Sequence, residues 1–326
     1  MYSVPAAGRA SDDSHTALAA IAWTRLDASG IPLRMSFPSF LDATRVEASE
    51  DPLRFQADVG NEWNAPTFPC GGVVSAIALR AMEAALDDPN QRLRSFATMF
   101  VSTVEPGALT VDVRRLRIGK RMSQLQADVR SVGRDEPGHV TTAAFGESRP
   151  GFDFTYRAAP EVGPPDDYPG LATPPPGVAA WRSSFFDNLD VRRVRSFASF
   201  ETDWQGGRAE VIRWFRYKNP PRLADGRIDP LSLVALADTM PPAIAQYHGP
   251  GFPLFHAPSV DLTLRLLGDT EDEWVLSQVI GHWAGDGYAS AEVALWDRQR
   301  RLLATGAQMM LFRFPDAVSA PPAARA

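Results

Sequence analysis

The chain has 326 residues, 44% hydrophobic and 22% charged, enough apolar sequence for one large core or two ordinary ones. Its formal net charge of -6 excludes a general nucleic-acid binder, and its single cysteine, Cys70, excludes an intramolecular disulfide and a cysteine-rich metal site. No apolar run reaches the roughly 20 residues that a membrane helix needs, and ALAAIAW over 17–23 follows Asp12 and Asp13 rather than a basic stretch, so a cytoplasmic protein with no membrane partner is expected.

Residues 1–34 are rich in Ala, Ser and Asp and are expected to form a disordered extension, the alternative being a helix over 14–25. The folded part is expected to begin near Met35, with SFPSFLDATRVEASEDPLRFQADV as two short strands around a polar turn. A loop, NEWNAPTFPC over 61–70, precedes Gly71-Gly72, which opens a helix. Its wet stripe is Arg80, Glu83 and Asp87, and the rest of its surface is apolar and must be covered by a sheet. Strands are expected over 94–104, 108–119, 122–133 and 139–148, separated by the turn signals Pro106-Gly107, Gly119-Lys120 and Pro137-Gly138. Many prolines over 149–181 mark a connector that lacks packed elements of its own.

The second half repeats the plan. Strands over 183–200 and 208–217 are followed by a helix that starts at Pro230, with Asp229 as its cap. The segments PSVDLTLRLLG, EWVLSQVIGHWAG, GYASAEVALWD and RLLATGAQMMLFR then follow as strands. The two halves align at an offset of about 165 residues, a period that marks duplication of a whole unit rather than a solenoid. The expected fold is α+β, with units over 35–150 and 182–315, a connector over 151–181 and a disordered tail over 316–326.

One carboxylate, Asp238, lies on an otherwise apolar helix. Four and seven residues before it come Val234 and Leu231, which places it on the buried face, where an unpartnered carboxylate is costly. It is either a water-activating group or a cap for the helix break at Pro241-Pro242. Gln308 stands in an apolar strand beside the small residues Ala304, Gly306 and Ala307, and its amide can both donate and accept. Gly71 and Gly72 either offer helix-start N–H groups to an oxyanion or answer a packing requirement. The basic run Arg114, Arg115, Arg117, Lys120 and Arg121 is a candidate for phosphates, although charged strand faces are usually just solvated. The five histidines show no metal spacing, and no metal site is expected; His256 and His282 are the ones that could approach Asp238.

The motifs GGVV (71–74), SFATMFVSTVEPG with RRLRIGKRMS, Gly151-Phe152-Asp153, ALADTMPPA, PSVDLTLR and LLATGAQMMLFR, in this order, give the chain a resemblance over roughly 40–315 to the acyl-CoA thioesterase II (TesB-like) family. That resemblance implies a double hotdog: two tandem repeats, each a long helix wrapped by an antiparallel sheet. It implies hydrolysis of an acyl-CoA substrate by a water held by Asp238, Ser259 and Gln308, with Thr263, expected on the same strand face as Ser259, joining Gly71 and Gly72 as a substrate-binding candidate. It further implies one working site per chain, formed between the halves, because the positions matching Asp238 (Val73–Ser75) and Gln308 (Phe145) carry no equivalent groups. Met309, Met310 and Trp283 are expected around the acyl tail, no cofactor beyond the coenzyme A of the substrate is implied, and a homodimer is expected. The rival readings are an inactive acyl-CoA-binding module and an enoyl-CoA hydratase, the latter requiring a histidine beside Asp238.

Overall fold

The structure, a computed structural model, describes residues 37–178 and 183–314. The expected extension over 1–34 and tail over 316–326 lie outside these residues. The segment after Phe37, expected as two strands, instead opens with a helical turn, α1 (Phe40–Ala43). Ser39 caps it by accepting from the Asp42 N–H at 3.2 Å. Strands β1 (Glu47–Ala48) and β2 (Arg54–Val59) follow.

Helix α2 (Gly71–Leu86) is built from good helix formers and ends at Asp87, which adopts a left-handed conformation with φ of 49° ahead of Pro89. Its apolar residues, among them Val73, Val74, Ile77 and Met82, are fully buried. The four strands of the first meander are β3 (Arg92–Phe100), β4 (Gly107–Arg117), β5 (Met122–Ser131) and β6 (His139–Gly146). β5 shows the period of two that positions a half-buried sheet: Leu125, Ala127 and Val129 point inward, and the residues between them point away from the core.

In the second half, α3 (Ser184–Asp187) and β7 (Leu189–Arg195) replace the single strand expected over 183–200, and β8 is Glu210–Tyr217. The single helix expected from Pro230 is two helices, α4 (Ser232–Ala237) and α5 (Pro242–His248). The break falls at Asp238–Pro241 because consecutive prolines lack N–H groups and disfavour helical geometry in the residue before them. Strands β9 (Asp261–Leu266), β10 (Val275–Gly285), β11 (Tyr288–Trp296) and β12 (Leu302–Leu311) close the chain.

All twelve strands form one sheet, in the order β1-β2-β4-β5-β6-β3-β9-β12-β11-β10-β8-β7. Exchanging the halves reverses this order onto itself, as duplication requires. The halves meet where β3 pairs antiparallel with β9, from Ser95 opposite Arg265 to Met99 opposite Asp261, centred on Ala97 and Thr263. Carried through the ladders to β6 and β12, this register sets Gln308 against Ala143 rather than the expected Phe145. The corresponding position still lacks a polar side chain.

Helices α2 and α4 pack against each other over the inner face of the sheet. At one end of their contact Asp229, 1% exposed, accepts from the Leu231 N–H at 3.1 Å and pairs with Arg80 of α2. This explains why Arg80 and Glu83 are half-covered rather than a wet stripe. Asp229→Ala should lower unfolding free energy in urea by roughly 3 kcal/mol, the low end for breaking a buried ion pair, because Arg80 keeps some contact with water.

The proline-rich connector does pack. Ala159, Val162 and Tyr168 cover a small second core of Ile212, Trp214, Trp274, Leu276 and Trp296 on the second half. Gly163 accepts from Trp214 Nε1 at 3.2 Å, and Arg157 pairs with Glu292 at 2.9 Å. Prolines preset the extended path, so little chain entropy is lost on docking it.

Candidate active site

The break between α4 and α5 turns Asp238 toward the start of α2. Its Oδ2 accepts from the Gly72 N–H at 2.8 Å and lies 3.5 Å from Cys70 Sγ. Its Oδ1 accepts from Gln308 Nε2 at 2.5 Å and lies 3.5 Å from Ser259 Oγ. Gln308 Nε2 also donates to Ser259 Oγ at 2.7 Å, which closes a ring of three side chains. The three residues singled out for water activation are therefore in mutual contact, and the first half supplies Gly72 and Cys70. Gln308 is 2% exposed, and its Oε1 is buried without a hydrogen-bond partner.

Burial raises the Asp238 pKa from its ordinary value, against the lowering effects of Gln308, the Gly72 N–H, Cys70 and Ser259. A carboxylate in this state is a stronger base than one in water and remains hydrogen-bonded through both oxygens.

The glycines are required by close approach. A methyl on Gly72 would lie 2.6 Å from Val234 O and 2.7 Å from Ala235 Cα, both backbone atoms of α4. One on Gly71 would lie 2.7 Å from Phe100 Cε1 and 3.0 Å from Asp238 Oδ2. The packing role and the N–H role therefore coexist at Gly72. Its N–H is committed to the carboxylate rather than left for an oxyanion, which corrects the expectation for that residue.

Thr263 does not join the cluster. A bend at Val260 interrupts the strand alternation, so Ser259 and Thr263, four residues apart, end on opposite faces. Thr263 stands opposite Ala307, and Gln308, the next residue, points the other way, toward the helices. Met309 likewise shares the outer face, whereas Met310 is fully buried on the inner one. Trp283 is half exposed and folds over Gly285 near the β10–β11 turn.

The basic run is also displaced. Arg115 donates to Ala85 O at 2.6 Å and so serves the C-terminus of α2, roughly 20 Å along the helix from Gly72. Neither His256 nor His282 is a hydrogen-bond partner of Asp238; His282 lies 3.3 Å from Glu292. The Asp/His pair that a hydratase would use is thus not found among the described residues. Buried His139 stacks edge-on against Phe100, and burial pushes its pKa down to about 3. Among the described residues no group of three or more His, Cys, Asp or Glu side chains could hold a metal ion. A cleft of about 690 Å³, lined by residues including Arg80, Glu83, Arg92 and Asp269, lies at the other end of the α2–α4 pair.

Cys70 is the contact that sequence reasoning missed. The available signal was its place immediately before Gly71-Gly72, where a helix-capping side chain would face whatever the helix start faces.

Comparison with known proteins gives the same frame. Residues 60–146 match the family model of the acyl-CoA thioesterase N-terminal domain, and residues 165–312 match that of the C-terminal domain. A hot dog fold protein of unknown function from Alicyclobacillus acidocaldarius is similar at 24% identity with a TM-score of 0.69, covering 85% of this chain and 98% of that one. The acyl-CoA thioesterase II TesB2 of Mycobacterium marinum is similar at 20% identity with a TM-score of 0.64, covering 86% of this chain and 100% of that one. No curated protein matches the sequence significantly. With both domain models matched in order on one polypeptide, the chain belongs to the acyl-CoA thioesterase family and is a double-hotdog thioester hydrolase.

Proposed function

We propose that this acyl-CoA thioesterase works by direct attack of water, activated by Asp238 and placed by Ser259 and Gln308. The observation that carries the assignment is the half-buried Asp238 carboxylate held by donors from both halves, with the unpartnered Gln308 Oε1 beside it as an acceptor for a water proton. Asp238 takes one proton as the water oxygen bonds to the thioester carbonyl carbon. The tetrahedral oxyanion then collapses, the carbon–sulfur bond breaks, and the coenzyme A thiolate leaves with the proton that Asp238 returns. Products are the free acid and coenzyme A. The Gly71 N–H, at the positive end of the 16-residue α2, is the donor proposed for the oxyanion.

No cofactor enters this scheme, because water is the nucleophile and the leaving group is a thiol. The proposal includes a cytoplasmic location, supported by the single buried cysteine; no helix among the described residues is long and apolar enough to cross a membrane. A homodimer is proposed from the edges that one open sheet leaves at β1 and β7.

The test is thiol release over acyl-CoAs from short to long chain. Ser259→Ala should slow turnover about 10- to 100-fold, the worth of one hydrogen bond to a charged group. Thr263→Val, on the other face, should stay within about twofold. A Ser259→Ala rate within about twofold of wild type would remove Ser259 from the site.

A further inference from the structure

Cys70 occupies the N-cap position of α2, yet its side chain makes no capping hydrogen bond. Serine, threonine, aspartate or asparagine would satisfy a helix N–H there; a thiol is a weak acceptor, and its S–H remains free to act as a weak donor. The nearest acceptor is Asp238 Oδ2, 3.5 Å from Sγ, and Cys70 is 2% exposed, so water does not compete for the proton. We propose that Cys70 is a positioning residue for the hydrolysis, its S–H holding the Asp238 carboxylate from the first half while Gln308 and Ser259 hold it from the second. This rests on Asp238 being the group that activates water.

The alternative role for a thiol in a thioesterase is nucleophilic, through an S-acyl intermediate. Burial and the Asp238 charge push the thiol well above its ordinary value, against the lowering effect of the Gly72 and Val73 N–H groups. The thiol is therefore neutral at working pH, the form that can donate and the poorer nucleophile. Groups facing Asp238 are the Gly72 N–H and Cys70 from the start of α2, Ser259 ahead of β9, and Gln308 from β12; only Cys70 among them titrates. On its other side Cys70 faces Tyr217 of β8. That hydroxyl donates to Ser232 O at 2.9 Å and is itself held neutral by burial.

The test is the pH profile of kcat/KM for Cys70→Ala, Cys70→Ser and Asp238→Asn, with thermal melts of each. Loss of the donor should move the acid limb of Cys70→Ala upward by about half a pH unit, a shift suited to a weak donor on a charged group. Its deficit should shrink at high pH. Cys70→Ser, a stronger donor, should restore the limb or move it below that of wild type, and this comparison stands even if the alanine variant folds poorly. Mass spectrometry of quenched turnover should find no acyl group on Cys70. Superimposed wild-type, Ala and Ser profiles, or an acyl adduct on Cys70, would overturn the inference. Should Asp238→Asn turn over at the wild-type rate, the Asp238 reading fails first; an inactive Asp238→Asn with unshifted Cys70 variants sinks the Cys70 role alone.

Discussion

Asp238→Asn is expected to cut thiol release by about 10²–10⁴-fold, the range for loss of a general base, and to raise the melting temperature at the same time. The second effect follows from the sign of the linkage. Burial places the folded-state pKa of Asp238 above its unfolded value. Stability from such a group is present in full below the unfolded pKa and is lost as pH rises through the folded one. At neutral pH the wild type therefore carries the net cost of a partly desolvated charge, and asparagine does not. Gln308 can also turn its amide, so that the unpartnered Oε1 accepts from the new side chain. The difference in melting temperature should close as both proteins are acidified. Calorimetry across pH reads this directly; a variant that is inactive and also less stable at neutral pH would show that Asp238 is a structural cap of the α4 break.

Gly72→Ala is expected to damage both stability and turnover, because the clash falls between the two helices and beside Asp238. The added carbon would meet two backbone atoms of α4 and lie 2.9 Å from Asp238 Cβ, and backbone cannot swing aside as a side-chain tip can. Separating α2 from α4 should cost about 1–3 kcal/mol of stability, the usual range for overpacking. It should also carry Asp238 away from Gln308, and a displacement of about 1 Å at a reacting group is worth on the order of 100-fold in rate. Gly151→Ala, where a methyl meets nothing within 4 Å, is the matched control. Comparable kcat and denaturation midpoints for the two variants would show that the close approach at Gly72 is dispensable.

Much of this arrangement was legible in the sequence because burial leaves strong marks. The apolar stripe of α2, the alternation in β5 and the turn pairs between strands all follow from side-chain periodicity, and the repeat gave the doubled architecture. Asp238 stood out as a charge where the pattern demanded none. What failed depended on single-residue geometry. A bend at Val260 set Ser259 and Thr263 on opposite faces, which no count of strand period reveals. The capping of α2 by Arg115 joins residues 30 apart, so a basic run that looked ready for phosphates was partly committed elsewhere. Cys70 was passed over because its partner lies 168 residues away and thiols carry no pattern of their own.

The joining of the halves through β3 and β9 sets what inheritance can do with this protein. One half contributes amide and thiol donors, the other the carboxylate, serine and glutamine, and five residue pairs hold both in a common sheet. Each newly made chain thus carries its complementary parts in a fixed one-to-one ratio, with no encounter between separate polypeptides and no loss on dilution. A codon change on the donor side is never copied onto the carboxylate side, as it would be in an assembly of identical single repeats. The two sides can therefore diverge independently, and the first half could surrender its own carboxylate position without silencing the enzyme.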